Sequence, residues 1–377
     1  MEALCGAMLF DGEVLRDGFA VLVDGPLIAD VVAESQLAAG LRRHDLAGGV
    51  LAPGFIDLQV NGGGGIQFNA EPTAEGIRRI AEAHRRHGTT ALLPTVITDA
   101  PEVMSRAIDA TTEVRAAGLP GVLGIHIEGP FIDVKRKGAH DARFIRMMTE
   151  VDAEALSAAA CGVMMLTVAP NCVPPHMIRR LAERGVIVSL GHAAATADDA
   201  QAALSAGARN FTHLFNAMSQ LEGRAPGMVG AALADRNSFC SIIADGHHVR
   251  DTALSAAIAA KSFDRIILIS DAMASAAGGP DRFELQGRPV TRVDGRLELE
   301  DGTLAGSNLT MEGAVRHCVN SLAVRLEDAL RMASLNPATL IRREKDLGRI
   351  APDYVANLVH LDDDLMVQET WIEGSRG

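Results

Sequence analysis

Eight short apolar runs recur through the middle of this chain, and they constrain its fold more than any other feature. They are Phe55–Val60, Ala91–Thr95, Val122–Ile127, Met164–Ala169, Val186–Leu190, Asn210–His213, Cys240–Ala244 and Ile266–Ser270. Runs of this length bounded by Gly and Pro read as strands buried on both faces, the signature of a parallel sheet. Amphipathic segments such as residues 74–84 and 198–207 lie between most of them. Strand and helix alternating in this way predict an α/β fold, a (β/α)8 TIM-like barrel. A doubly wound open sheet would want a Gly-rich phosphate turn after its first strand. Asn61-Gly-Gly-Gly-Gly65 lacks that register and reads instead as a tight turn close to a ligand.

The two ends of the chain differ from its middle. Residues 1–51 alternate apolar and polar positions around Gly and Asp-Gly turns, and residues 347–377 repeat the style. They predict one small β-sandwich domain built from both termini, with the barrel over 52–346. Asp294-Gly295 and Asp301-Gly302 predict a β-hairpin excursion at 283–305, near the barrel mouth.

A chain of 377 residues suits a barrel of about 250 residues with an appended domain. A net charge of −13 argues against nucleic acid or an anionic membrane surface as partner, but leaves room for a local basic site. Five scattered cysteines without a C-x-x-C fit a reducing compartment. The N-terminus lacks a basic, apolar leader, and no run approaches the roughly 20 apolar residues of a membrane span. A cytoplasmic protein is expected.

Four of the apolar runs are followed by a side chain that can bind or work beside a metal: Glu128, His192, His213 and Asp271. A parallel sheet brings its strand C-termini together, so the four should share one cleft. Glu128, His192 and His213 can supply three ligands to a divalent ion, leaving Asp271 to take a proton from water and return it to a leaving group. A lone histidine after a strand is more often structural; the conjunction carries the reading. His126 is expected to pack in the barrel or orient Glu128. His84 and His87 end a helix where imidazoles suit the dipole. His44, His176, His317 and His360 have no companions and read as surface or packing residues.

These residues sit in an ordered set of longer segments: Pro53-Gly-Phe-Ile-Asp-Leu-Gln-Val-Asn-Gly62, His126-Ile-Glu-Gly-Pro-Phe131, Lys137-Gly-Ala-His140, Gly191-His192, Thr212-His-Leu-Phe-Asn-Ala-Met218, Ala244-Asp-Gly-His-His-Val249, Ser270-Asp-Ala272 and Gly302-Thr-Leu-Ala-Gly-Ser307. The set resembles the amidohydrolase superfamily and, within it, the N-acetylglucosamine-6-phosphate deacetylase family, nearly end to end. The resemblance implies Glu128, His192 and His213 as metal ligands and Asp271 as general base and acid. His248 would polarise the acetamide carbonyl and contact substrate. His140 would touch the sugar, while Asn216 and Ala217 would face the sugar phosphate. Arg224 would reach the phosphate from a neighbouring subunit of a homodimer, a role that suits its planar fork. His247 receives no role.

Much of that superfamily has His-x-His after the first strand, holding a second metal. Here the slot reads Gln59-Val60-Asn61, and neutral amides are poor ligands for zinc or iron. One divalent metal per subunit is expected, Zn2+ first, with Fe2+, Mn2+ and Co2+ also suited. The implied reaction is hydrolysis of N-acetyl-D-glucosamine 6-phosphate to D-glucosamine 6-phosphate and acetate, in amino-sugar catabolism or cell-wall recycling. An N-acetylgalactosamine-6-phosphate deacetylase is the near alternative. More distant ones are a deaminase or cyclic-amide hydrolase of the same superfamily, and a non-catalytic assembly protein on the same barrel.

Overall fold

A computed structural model describes residues Met1–Gly377. At its centre is an eight-stranded parallel sheet in which each strand pairs with the next in sequence. The strands are Phe55–Val60, Thr89–Ile97, Gly124–Glu128, Val163–Val168, Ile187–Leu190, Asn210–Phe211, Phe239–Ile242 and Ile266–Leu268. The seam between first and last closes past the strand ends: Asp271 N–H donates to the Gln59 carbonyl at 3.0 Å, and Asn61 N–H to the Ala272 carbonyl at 2.8 Å. The barrel is therefore shut on the side where the site lies.

Helices follow from capping as well as periodicity. Thr73 caps Ala74–Arg85 by accepting from the Gly76 N–H, and Thr196 with Asp199 forms a capping box on Ala197–Ser205. Their apolar faces join the strands in a core of 63 buried residues. Inside the barrel runs a polar chain from Thr95 through His126, Thr167 and Thr212 to Ser189 and Asn210. His126 thus packs inside the barrel, bonded to Thr95 and Thr167, the first of the two roles expected of it.

Strands from both termini form two further sheets. Glu2–Cys5, Phe19–Asp24, Leu27–Ala33 and Arg42–Asp45 make one; Val50–Pro53, Leu358–Leu361 and Val367–Ile372 are central to the other. Leu4, Val21, Ile28, Leu51, Leu358 and Trp371 fill the space between them. His44 bonds Glu369 at 2.8 Å at its edge, and buried His360 bonds the Gly48 carbonyl at 2.9 Å.

The expected hairpin is a three-stranded antiparallel sheet, Arg282–Leu285, Arg288–Val293 and Arg296–Leu299. Its first turn is Gln286-Gly287, both with φ near +50 to +75°, a weaker signal than the Asp294-Gly295 that was legible. Leu285, Val290 and Leu297 pack this sheet onto Ile97 and Met273 at the barrel mouth.

The glycines at 62–65 make the expected tight turn, with Gly64 and Gly65 at φ 56° and 88°, and the first two are also packed against protein: a Cβ on Gly62 would meet the Ile66 carbonyl at 2.3 Å, and one on Gly63 the His84 ring at 2.5 Å. His84 is fully buried and donates to the Gly62 carbonyl at 2.9 Å. Burial lowers it to about 4, so it serves as a neutral brace, not a charge on the helix dipole.

Candidate active site

Glu128 ends the third strand, His192 and His213 each stand two residues past the fifth and sixth, and Asp271 three past the eighth. His192, His213 and Asp271 all have positive φ, at 46°, 33° and 51°. Non-glycine residues rarely adopt that backbone, and it ends ladder pairing there. The strands before His213 and Asp271 therefore stop short of the sequence expectation, while the one before His192 ends at Leu190 as expected.

Three ligand atoms then meet at one point. His192 Nε2 lies 3.2 Å and His213 Nε2 3.0 Å from Glu128 Oε1, and the two nitrogens are 3.0 Å apart. His192 Nδ1 lies 2.9 Å from the Arg136 carbonyl, which can only accept, so Nδ1 carries the proton. With Nδ1 so engaged, Nε2 is the ring atom that faces the Glu128 carboxylate. A single proton cannot satisfy two imidazole nitrogens and a carboxylate oxygen, whereas a divalent ion can. All three residues are buried. Burial alone would raise the Glu128 carboxyl, but hydrogen bonds from His192 and His213 outweigh it and hold it well below the usual range. His213 is raised against its own burial by the same carboxylate.

His140 is a fourth candidate ligand. Glu128, His140 and His192 each bring one ligand atom within 4.8 Å of the others. The His213 set is tighter, because His140 Nε2 approaches the other carboxylate oxygen at 3.8 Å and its Nδ1 bonds Thr98 at 2.8 Å. Burial, then the neighbouring His192, holds His140 well below the usual histidine value, which leaves it a neutral wall of the cleft.

Asp271 is buried beside this cluster and accepts from Gln59 Nε2 at 2.9 Å and Asn61 Nδ2 at 2.7 Å. Burial and then the Glu128 charge push it up to about 6. His248 Nδ1 lies 2.7 Å from Asp245 Oδ2, and Asp245 Oδ1 accepts the His247 and His248 N–H groups. Asp245 thus supports His248, a role that the sequence Asp-Gly-His-His does not announce.

Glu128, His192, His213, Asp271, His140 and His248 line one cavity of about 420 Å³, with Asn61, Asn216 and Ala217 on its walls. Lys135 and Arg136 at the rim, and Leu285 and Thr303 of the mouth, also line it and were missed. The first two are cations in an otherwise ordinary loop; only the fold places them. Arg224 is exposed and lies outside this cavity.

The family model described as "Amidohydrolase family" matches residues 50–376, and a NagA composite domain matches residues 1–51. The chain belongs to the amidohydrolase family. N-acetylgalactosamine-6-phosphate deacetylase of Shewanella sp. (strain ANA-3) is 41% identical to it over 97% of this chain and 96% of the relative. N-acetylglucosamine-6-phosphate deacetylase of Homo sapiens is 39% identical, over 97% and 93%. The crystal structure of N-acetylglucosamine-6-phosphate deacetylase from Pasteurella multocida superposes with a TM-score of 0.97 at 34% identity, covering 100% of this chain and 99% of that one.

In this amidohydrolase the amides of the first-strand slot present nitrogen to carboxylate. Gln59 Nε2 lies 3.1 Å from Glu128 Oε1 as well as touching Asp271. The amide orientation follows from the hydrogen bonds, since two carboxylates can only accept. Asn61 Oδ1 is left buried without a partner.

Proposed function

We propose that this amidohydrolase is a metal-dependent deacetylase that hydrolyses N-acetyl-D-glucosamine 6-phosphate to D-glucosamine 6-phosphate and acetate. The observation that carries this reading is the meeting of Glu128, His192 and His213 at one oxygen, with Asp271 and His248 in the same cavity. Glu128, His192 and His213 would hold one divalent ion, Zn2+ first among those such ligands suit. When bound, the ion supplies Lewis acidity toward a carbonyl and makes water a better nucleophile.

The protein's own residues do the rest. Asp271, its Oδ1 held by the two amides, takes the proton from the attacking water on its other oxygen and returns it to the departing amine nitrogen. Burial raises this carboxyl above its usual range, which suits it to hold the proton between the two transfers. His248, positioned by Asp245 at Nδ1, turns its Nε2 edge toward the acetamide oxygen. His140 packs the sugar, and Asn216 with Ala217 faces its phosphate. Arg224, exposed on its own chain, would reach that phosphate across a homodimer.

The single ion follows from Gln59 and Asn61, whose nitrogens fill the second slot. No helix is long and apolar enough to cross a membrane. All five cysteines are free thiols, which suits a cytoplasmic setting. The 41% identical relative named for the galactosamine isomer keeps that sugar as the second reading. Acetate release from both phosphorylated N-acetylhexosamines, each beside its unphosphorylated form, tests the assignment. Turnover of the phosphorylated gluco isomer is expected to lead; release from neither phosphosugar overturns it.

A further inference from the structure

Behind the loop that carries His248 lies a second cavity, of about 340 Å³, that the deacetylase reading leaves unused. Arg316 and His317, on the helix Met311–Asn320, form one side. Asn308 and the Gly295 turn form another, and Asp245 with His247 lies between them. His317 Nε2 is held by Asp251 Oδ1 at 2.8 Å, and the other donors are largely unspent. The Arg316 guanidinium meets only the Met366 sulfur, in a chain with 48 acidic residues. Asn308 uses its Oδ1 to accept from Ser275 at 2.9 Å, leaving its amide N–H groups free. A guanidinium, an amide and the His247 ring, with Asp245 the one lining carboxylate, make a donor set for a compact oxyanion.

The same groups grip the loop. A Cβ on Gly246 would fall 3.2 Å from the His317 ring, and one on Gly295 would fall 3.0 Å from His247 Nε2. Asp245 lines this cavity while its Oδ2 holds His248 Nδ1 at 2.7 Å, and His248 lines the active site. One carboxylate therefore separates the two spaces.

We propose that this second cavity binds a phosphate dianion, free or as a phosphomonoester, and that its occupancy alters the active site through the Asp245–His248 pair. This goes beyond the deacetylase reading, and its binding test needs no turnover, so each can fail alone. The holoprotein is titrated calorimetrically with inorganic phosphate, glucosamine 6-phosphate and unphosphorylated glucosamine. Two phosphate sites per chain are expected in the wild type and one in Arg316→Gln. The lost site should weaken at least about tenfold, the usual size of a removed charge-assisted contact, and Arg316→Lys should recover part of it. Equal affinity for phosphate and sugar phosphate identifies the bare anion as ligand; tighter sugar phosphate identifies a phosphosugar. In phosphate-free buffer Arg316→Gln should keep KM and kcat, while added phosphate should change kcat in the wild type alone. Identical titrations of wild type and Arg316→Gln overturn the site. Phosphate acting only by competition with substrate, equally in both proteins, overturns the coupling.

Discussion

Gln59 and Asp271, 212 residues apart in sequence, meet across the barrel seam with 2.9 Å between amide nitrogen and carboxylate oxygen. Asn61 adds a second donor to the same oxygen at 2.7 Å. Two neutral donors should favour the anion, yet Asp271 is raised to about 6. Burial and the Glu128 charge therefore outweigh them. The amides orient the carboxylate without quenching its basicity, which is what a residue that must both take and give a proton requires.

Replacing Asp271 by Asn keeps the shape and removes the base. Metal content should be retained, while kcat should fall by about 10²- to 10⁴-fold, the usual worth of a positioned acid–base group. Metal analysis beside steady-state kinetics checks both; near-normal turnover would sink the role.

Metal content should be about one equivalent per chain by elemental analysis, because the Gln59 and Asn61 nitrogens face the carboxylates of the second slot. Two equivalents would refute that reading. His213→Ala should lose the ion. Stripping it from the wild type should lower the melting temperature, since an ion that binds only the folded state stabilises it, by about 4 kcal/mol at a thousand times Kd.

Arg224 is exposed on its own chain and outside its own cavity. Arg224→Gln should raise KM for the phosphorylated substrate much more than it lowers kcat. Mixing inactive Asp271→Asn subunits with Arg224→Gln subunits should restore about a quarter of wild-type activity at low substrate, if random dimers form and the arginine acts across them. No recovery on mixing would place its action within one subunit or nowhere.

His84 is depressed to about 4 from an ordinary 6.5, with Nδ1 buried and unpartnered. A group lowered in the folded state contributes stability that is present above 6.5 and lost as pH falls through 4. The loss should be about 3 kcal/mol for that shift. Asp57 works oppositely: burial raises it to about 7, so its contribution is present below 3.8 and lost as pH rises through 7. Because the two groups oppose each other between pH 7 and 4, the difference between proteins is the readout: over that range the wild type should lose about 3 kcal/mol relative to His84→Gln in calorimetric unfolding. Parallel curves would contradict the assignment.

Much of this molecule was legible in its residues. The eight apolar runs located every barrel strand, and the runs ending at Glu128, His192, His213 and Asp271 marked the metal cleft. Burial periodicity and side-chain chemistry are local properties, so the linear chain carries them. Three-dimensional closure decided the rest. Positive φ at His192, His213 and Asp271 aimed their side chains, and ended the last two strands early, which no periodicity encodes. His126 bonded two threonines, because neighbouring strands set its layer. Arg136, whose carbonyl sets the His192 tautomer from 56 residues away, carried no signal at all. Those outcomes depend on distances between segments remote in sequence. Such distances exist only once the sheet has curled shut and brought Gln59 to Asp271.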